Sequence, residues 1–326
     1  MKVIKMKNLT GIVAGALCLI TIIISPFLIT SSEVESQSKT VVLTVWHVDG
    51  FEGGKGSRYT FLRDVAVKFS KQNKGVYPLV SSYTVEGAND LIKKGKHPDL
   101  ISFGGSLLNL QNCAKEISFS GRDGGTVGNK RYAVSYIKGG YFVIKKGEGS
   151  KDIIISKQEG VTPEIATLFS NEEISSITIK PSLDAYSLFL LKKNATMIGT
   201  QRDIERLISR GETFTAKVIE GYSDLFQYVS LTCDKADNEY YANKFIEFLL
   251  SEKVQSEIKN LKMLSVNLSG QFPDNEYLSA LEKARINYTF SPFSAKENML
   301  IACDKALNLI NTGGDYNEII NFTKQL

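Results

Sequence analysis

Residues 40–105 constrain the fold more than any other part of the chain, because they switch repeatedly between strand and helix periodicity. Residues 40–46 form a β-branched, apolar run, and residues 49–56 follow as a glycine-rich loop. Ser57 stands where a helix N-cap belongs, ahead of Phe61, Leu62, Val65, Ala66 and Phe69 at helical spacing. A second strand is expected over residues 76–83, a short helix over 88–94 and a third strand over 98–105, ending in Gly104 and Gly105. Strands that alternate with helices are joined by crossovers and pair in parallel. Ligands of such sheets sit beyond the carboxyl ends of the strands, which is where loop 49–56 and the turn at Gly104 fall.

The alternation continues downstream. Strands are expected at 132–134, 141–145, 196–199, 216–219 and 226–231. Helices are expected at 163–169, 183–191, 201–210, 238–259 and 298–310, so the fold class is α/β. Residues 121–128 read as a glycine-rich hairpin or loop.

A chain of 326 residues can bury two lobes of ordinary domain size. Lys2, Lys5 and Lys7 precede an uncharged, mostly apolar run at residues 11–30, long enough to cross a bilayer. Residues 1–30 therefore read as a signal peptide or an uncleaved membrane anchor, and polar residues 31–39 as a linker. The lysines place the N-terminus inside and the body outside, hence an extracytoplasmic protein. Without those lysines the body carries 36 basic and 35 acidic side chains. Such a balance excludes a nucleic-acid surface, which needs a clustered basic excess. Cys113, Cys233 and Cys303 lack metal-ligand spacing; they read as buried free thiols, or as one disulfide and a thiol. His47 and His97 are too few for a common triad or zinc site. The chain is thus expected to be no enzyme and to need no cofactor or metal.

Several runs resemble the extracellular solute-binding proteins of ABC importers, in particular the sugar-binding, maltose-binding-protein-like family. They are Val45 with Trp46; the helix ending Ala66, Val67, Lys68, Phe69; and the strand Pro98, Asp99, Leu100. Lys193 to Met197 and the helix from Ala242 through Leu250 to Gln255 extend the likeness over residues 40–270. The resemblance implies a type II periplasmic-binding fold: two lobes, each a mostly parallel sheet flanked by helices, with a hinge between them. It implies a first lobe at 40–136, a second at 137–222, a return to the first at 223–270 and C-terminal helices on the second at 271–326. Gly139 and Gly140 suit the hinge or a plain hairpin turn. The implied function is capture of a small polar ligand, a carbohydrate first and a polyamine second, for delivery to ABC permease subunits. A membrane-tethered sensory protein is the rival role.

The candidate ligand contacts follow from this frame. Loop 49–56 lacks the glycine and Lys-Ser/Thr spacing of a phosphate loop. Its acids and aromatic suit a polyol: Asp49, Phe51 and Glu52 either line the cleft or form a solvated turn. Trp46 ends an apolar strand and belongs to the core or stacks on ligand. Gly104 allows close backbone approach or a tight turn. Thr200, Gln201 and Arg202 offer donors beside a strand end, although Thr200 and Asp203 also read as a capping box. Tyr136, Tyr141, Tyr222 and Tyr228 lie at the implied crossings, as ligand contacts or as strand residues. The acidic loop and neutral body favour a neutral polyol over an anion.

Overall fold

The structure, a computed structural model, describes residues 40–51, 53–105, 108–120 and 124–324. The expected signal or anchor segment, the linker and Glu52 lie outside the described residues. Among the described residues no helix is long and apolar enough to cross a membrane.

The chain begins with β1 (Val41–His47), then α1 (Arg58–Gln72). The Ser57 hydroxyl accepts a hydrogen bond from the Thr60 amide at 3.2 Å, ending the loop and starting the helix. Phe61, Leu62, Val65, Ala66 and Phe69 form its buried face. β2 (Val76–Ser82), α2 (Val85–Lys93) and β3 (Leu100–Gly104) follow, β3 being buried at every position. A hairpin of β4 (Thr126–Val127) and β5 (Lys130–Arg131) leads into β6 (Ala133–Lys138).

Between Lys138 and Tyr141 the chain leaves one sheet and enters another. The second sheet is made by β7 (Tyr141–Lys146), β8 (Asp152–Lys157), β9 (Ser176–Pro181), β10 (Ala195–Thr200) and β11 (Thr215–Val218), in the order β11-β7-β10-β8-β9. α3 (Pro163–Leu168), α4 (Ser182–Leu191) and α5 (Gln201–Arg210) connect them. After β12 (Gly221–Tyr222) the chain returns as β13 (Phe226–Leu231), which lies between β6 and β3. α6 (Ala236–Leu249), α7 (Glu252–Gln255), a 3-10 turn (Ile258–Leu261) and β14 (Leu264–Ser265) complete the first sheet, ordered β14-β6-β13-β3-β1-β2. Leu278 and Leu281 of α8 (Glu276–Lys283) bury against Phe142 and Ile144 of the second lobe. β15 (Ile286–Tyr288) pairs with β12, and α9 (Lys296–Thr312) packs on α3 and on α10 (Tyr316–Thr323).

The sheets are mixed rather than mostly parallel. β1 and β3 pair in parallel, as do β8, β9 and β10. β13 is antiparallel to both its neighbours, and so is β7. β7 and β13 follow two- and three-residue links from strands outside their own sheet. No crossover helix precedes them to impose the parallel direction. The helix expected over 238–259 is also broken. Ser251 adopts an extended conformation and its hydroxyl donates back to Phe248 O at 2.6 Å. The fully buried Gln255 side chain then donates to Leu249 O and, across to β6, to Tyr136 O. Cys113, Cys233 and Cys303 are free thiols.

The crossings are held by one buried carboxyl. Asp224 lies in the link from β12 to β13 and is 4% exposed. Its Oδ1 accepts from the Tyr141 hydroxyl at 2.6 Å, and Oδ2 accepts from the Thr162 amide at 2.7 Å and hydroxyl at 2.8 Å. Burial pushes its pKa up, and the three donors offset this only in part. Ser223 Oγ donates to Gly139 O at 3.0 Å, so outgoing and returning strands are tied side by side. Asp224→Ala strands the Tyr141 hydroxyl and Thr162 amide without partners in a dry site. We expect it to lower unfolding free energy by about 3 kcal/mol, read as a lower urea midpoint with unchanged slope.

Candidate functional site

Loop 49–56 and the end of β3 face three segments of the second lobe: residues 157–160 after β8, residues 181–183 at the start of α4, and Arg202 on α5. Two contacts between the lobes flank this face. Gly105, at φ +62°, lies so close to Gly160 that a Cβ there would overlap the Gly160 carbonyl oxygen. Arg202 Nη1 donates to Gly54 O at 2.7 Å. Between these contacts is a cleft of about 660 Å³, lined by Asp49, Phe51, Arg58, Lys157, Gln158, Ser182 and Arg202 among others.

The first-lobe wall is built on a buried polar chain. His47, fully buried on β1, shares a hydrogen bond with Ser102 Oγ at 3.1 Å and another with Asp49 Oδ1 at 3.0 Å. Ser102 is in turn bonded to the Tyr136 hydroxyl at 2.8 Å and to Gln227 Nε2 at 2.9 Å. Arg58 Nε donates to Asp49 at 2.9 Å, Nη2 donates to Phe51 O, and the guanidinium lies 4.5 Å from the centre of the Phe51 ring. Burial alone would raise the Asp49 carboxyl. The His47 hydrogen bond and the Arg58 charge outweigh it and hold the pKa down at about 2. The Asp49 charge is therefore already matched by Arg58.

The opposite wall carries Lys157, Glu159 and Arg202, with the lysine paired from behind. Lys157 Nζ donates to Glu164 at 2.7 Å and to Val161 O at 3.3 Å, and lies 3.5 Å from Cys303 Sγ. Burial lowers the lysine's pKa, but the Glu164 charge overcomes this and raises it. The same burial pushes the Cys303 thiol up to about 12, which leaves it protonated and inert.

Of the candidate residues, Asp49, Phe51 and Arg202 line the cleft. Gly104 packs its backbone against Gly50 and Phe226 O, so it shapes the loop from beneath. Trp46 sits in the first-lobe core with its ring 4.6 Å from Tyr83. Thr200 is a buried N-cap, accepting from the Arg202 amide at 3.2 Å, with Asp203 completing the capping box. Gln201 is fully buried: its Oε1 accepts from the Gly140 amide at 3.1 Å and its Nε2 lies 3.0 Å from Met263 Sδ. Tyr136, Tyr141, Tyr222 and Tyr228 are fully buried too. A tyrosine on an interior strand or at a crossing is enclosed by protein on both sides, so its ring packs on its neighbours. Tyr141 bonds Asp224, Tyr222 bonds Thr162, and the Tyr141 and Tyr222 rings stack at 6.3 Å. Tyr141 and Tyr222 serve the crossings, Tyr136 the polar chain behind the first-lobe wall and Tyr228 the first-lobe core.

Arg58, Lys157, Gln158 and Ser182 escaped the sequence reading. Arg58 carried a usable signal. It is the first residue of α1, where a cation opposes the helix dipole, so a carboxylate partner nearby was to be expected. Lys157 and Gln158 end a strand with too little flanking punctuation to stand out. Among the described residues no group of three His, Cys, Asp or Glu could hold a metal ion.

No protein-family model matches the chain, and no curated protein matches it in sequence. Solved structures do match. The cyclic alpha-maltosyl-1,6-maltose binding protein from Arthrobacter globiformis superposes with a TM-score of 0.57 at 11% identity, over 87% of this chain and 97% of that one. The GacH receptor of Streptomyces glaucescens gives 0.55 at 12%, over 87% and 96%. The maltose/maltodextrin-binding domain MalE from Bdellovibrio bacteriovorus gives 0.53 at 14%, over 87% and 99%. The fold is that of a two-lobed periplasmic binding protein.

Two expectations follow from this geometry. The depressed Asp49 pKa contributes stability that is complete above its unfolded value near 3.8 and is lost as pH falls through about 2. More than half of the side chain faces solvent, so the contribution is about 1 kcal/mol or less. A carbon-detected NMR titration should find Asp49 ionised at pH 3, and Arg58→Met should move its midpoint upward. Gly105→Ala adds a Cβ where Gly160 O lies and strains a left-handed residue by about 1–2 kcal/mol. The lobes should then stay apart, seen as a larger radius of gyration in solution scattering.

Proposed function

We propose that this protein is an extracytoplasmic solute-binding protein that closes its two lobes on a carbohydrate and passes it, chemically unchanged, to the permease subunits of an ABC transporter. The observation that carries this reading is the cleft. A carboxylate and a guanidinium, locked by the His47–Ser102–Tyr136 chain, face Arg202, Gln158 and Lys157 across about 660 Å³, a volume suited to a small ligand. Fixed carboxylate, amide and guanidinium groups recognise sugar hydroxyls, and the edge of Phe51 offers an apolar surface. The structural neighbours are described as bound to maltotriose or acarbose, or as binding a cyclic maltosyl-maltose. The apolar run at residues 11–30, with its preceding lysines, would export the chain or hold it at the outer face of the membrane.

The test is a thermal-shift and calorimetric screen of di- and trisaccharides against the protein starting near Ser38. A ligand at one hundred times its Kd should stabilise the fold by about 2.7 kcal/mol and should shrink the radius of gyration. Arg58→Ala or Arg202→Ala should weaken binding by roughly 10-fold or more, the loss of a charged hydrogen bond. Turnover of the sugar, or stabilisation by polyamines alone, would refute the proposal.

A further inference from the structure

The first lobe carries a second cavity outside the cleft. It is an open groove of about 520 Å³ between the β4–β5 hairpin and the segment that leads into α9, lined by Gln111, Val127, Tyr132, Phe293, Ser294 and Asn298 among others. None of its described lining residues also lines the cleft. The volume is that of a small-ligand site.

Two rings make the apolar part of this groove. Phe293 is 6% exposed and belongs to the first-lobe core, where it also packs on Phe103 with ring centres 6.0 Å apart. The half-buried Tyr132 ring meets Phe293 edge to face, 6.2 Å away at an angle of 72°. The Tyr132 backbone is fixed at both ends: its amide donates to Gly125 O at 2.9 Å and its carbonyl accepts from the Ser230 hydroxyl at 2.6 Å. Gln111 Nε2 donates to Phe293 O at 3.3 Å, which holds the amide beside the rings. Gln111 Oε1, the Tyr132 hydroxyl and the Ser294 hydroxyl have no hydrogen-bond partner among the described residues.

The chemistry of these groups selects a ligand class. No described residue lining the groove is charged, and Lys130 of the hairpin is already paired with Glu116 at 2.9 Å. An ion would be desolvated here without a partner. A purely apolar molecule would cover the Tyr132 and Ser294 hydroxyls and the Gln111 carbonyl and leave them unpaired, which is costly. A sugar meets both demands: its C–H face lies on an aromatic ring, and its hydroxyls exchange hydrogen bonds with amides and hydroxyls. We propose that this groove is a second saccharide site, one that takes a neutral sugar whether or not the cleft is filled. The proposal goes beyond the cleft reading and does not rest on it.

The test is fluorine NMR on the full chain in lipid nanodiscs, with Tyr132 replaced by 3-fluorotyrosine and maltotriose, mannotriose and cellotriose as probes. At least one of these should give a saturable shift of the signal from position 132. Arg202→Ala, which weakens the cleft, should leave the midpoint of that titration within about 2-fold, as expected for separate sites. Gln111→Ala with Val127→Glu should weaken it about 10-fold or more, through a lost hydrogen bond and an added charge. Gln111 is exposed and Val127 is 48% exposed, so neither substitution touches the core. N-acetyltyrosinamide, spermidine and trigalacturonate should each bind more weakly than the best neutral trisaccharide. Four results would overturn the proposal: no saturable shift with any trisaccharide, a shift abolished by Arg202→Ala, a midpoint unmoved by the double variant, or tighter binding of one of the three control compounds. Groove binding that persists while the cleft takes no sugar supports the proposal and removes the cleft reading alone.

Discussion

The architecture depends on how three buried hydrogen bonds to one carboxyl hold the two lobes' crossings together. Asp224 gathers the first residue of β7, the loop before α3 and the link into β13. A carboxyl with no solvent is a costly group, and it is tolerable only because each oxygen is met by donors fixed in rigid elements. The reward is geometric. Strands that pass between lobes must stay in register with both sheets, and a hydrogen-bonded carboxyl specifies position more sharply than apolar packing does. The stacked Tyr141 and Tyr222 rings supply the packing around it.

The same logic shapes the first-lobe wall of the cleft. In the first lobe, polar side chains run inward from the cleft surface, from Asp49 and Arg58 through His47 and Ser102 to Tyr136 and Gln227. Each member fixes the next, so the two groups that reach the cleft are presented without freedom to collapse. Preorganisation of this kind lowers the entropy lost on binding. Beside the cleft the lobes touch through backbone at Gly105 and Gly160 and through the Arg202–Gly54 bridge, and nearer the crossings Gln201 reaches Met263.

Much of this protein was legible in its sequence. The alternation of hydrophobic period over residues 40–105 sets the α/β class, because period-2 and period-3.6 patterns cannot be exchanged without exposing their apolar faces. Ser57 and Thr200 announced helix starts, and both act as caps. Loop 49–56 was legible as a cleft-lining element because it follows a strand at its carboxyl end. The tyrosines at the crossings were legible as important but not as buried. An aromatic beside a polar residue looks the same in sequence whether its hydroxyl meets a ligand or an aspartate from another segment.

What the sequence determined alone is therefore local: which runs are strands, which are helices and where glycine lets the chain turn. Tertiary structure decided everything that depends on residues distant along the chain. It set the antiparallel entry of β7 and β13, which follows from short links between lobes rather than from any strand's composition. It placed Asp49 against Arg58 and so cancelled a charge that composition would have counted as free. It brought Lys55 across from the arginines of α5, some 150 residues on. Electrostatic character belongs to the spatial sum of charges, and that sum falls with distance in space, not along the sequence.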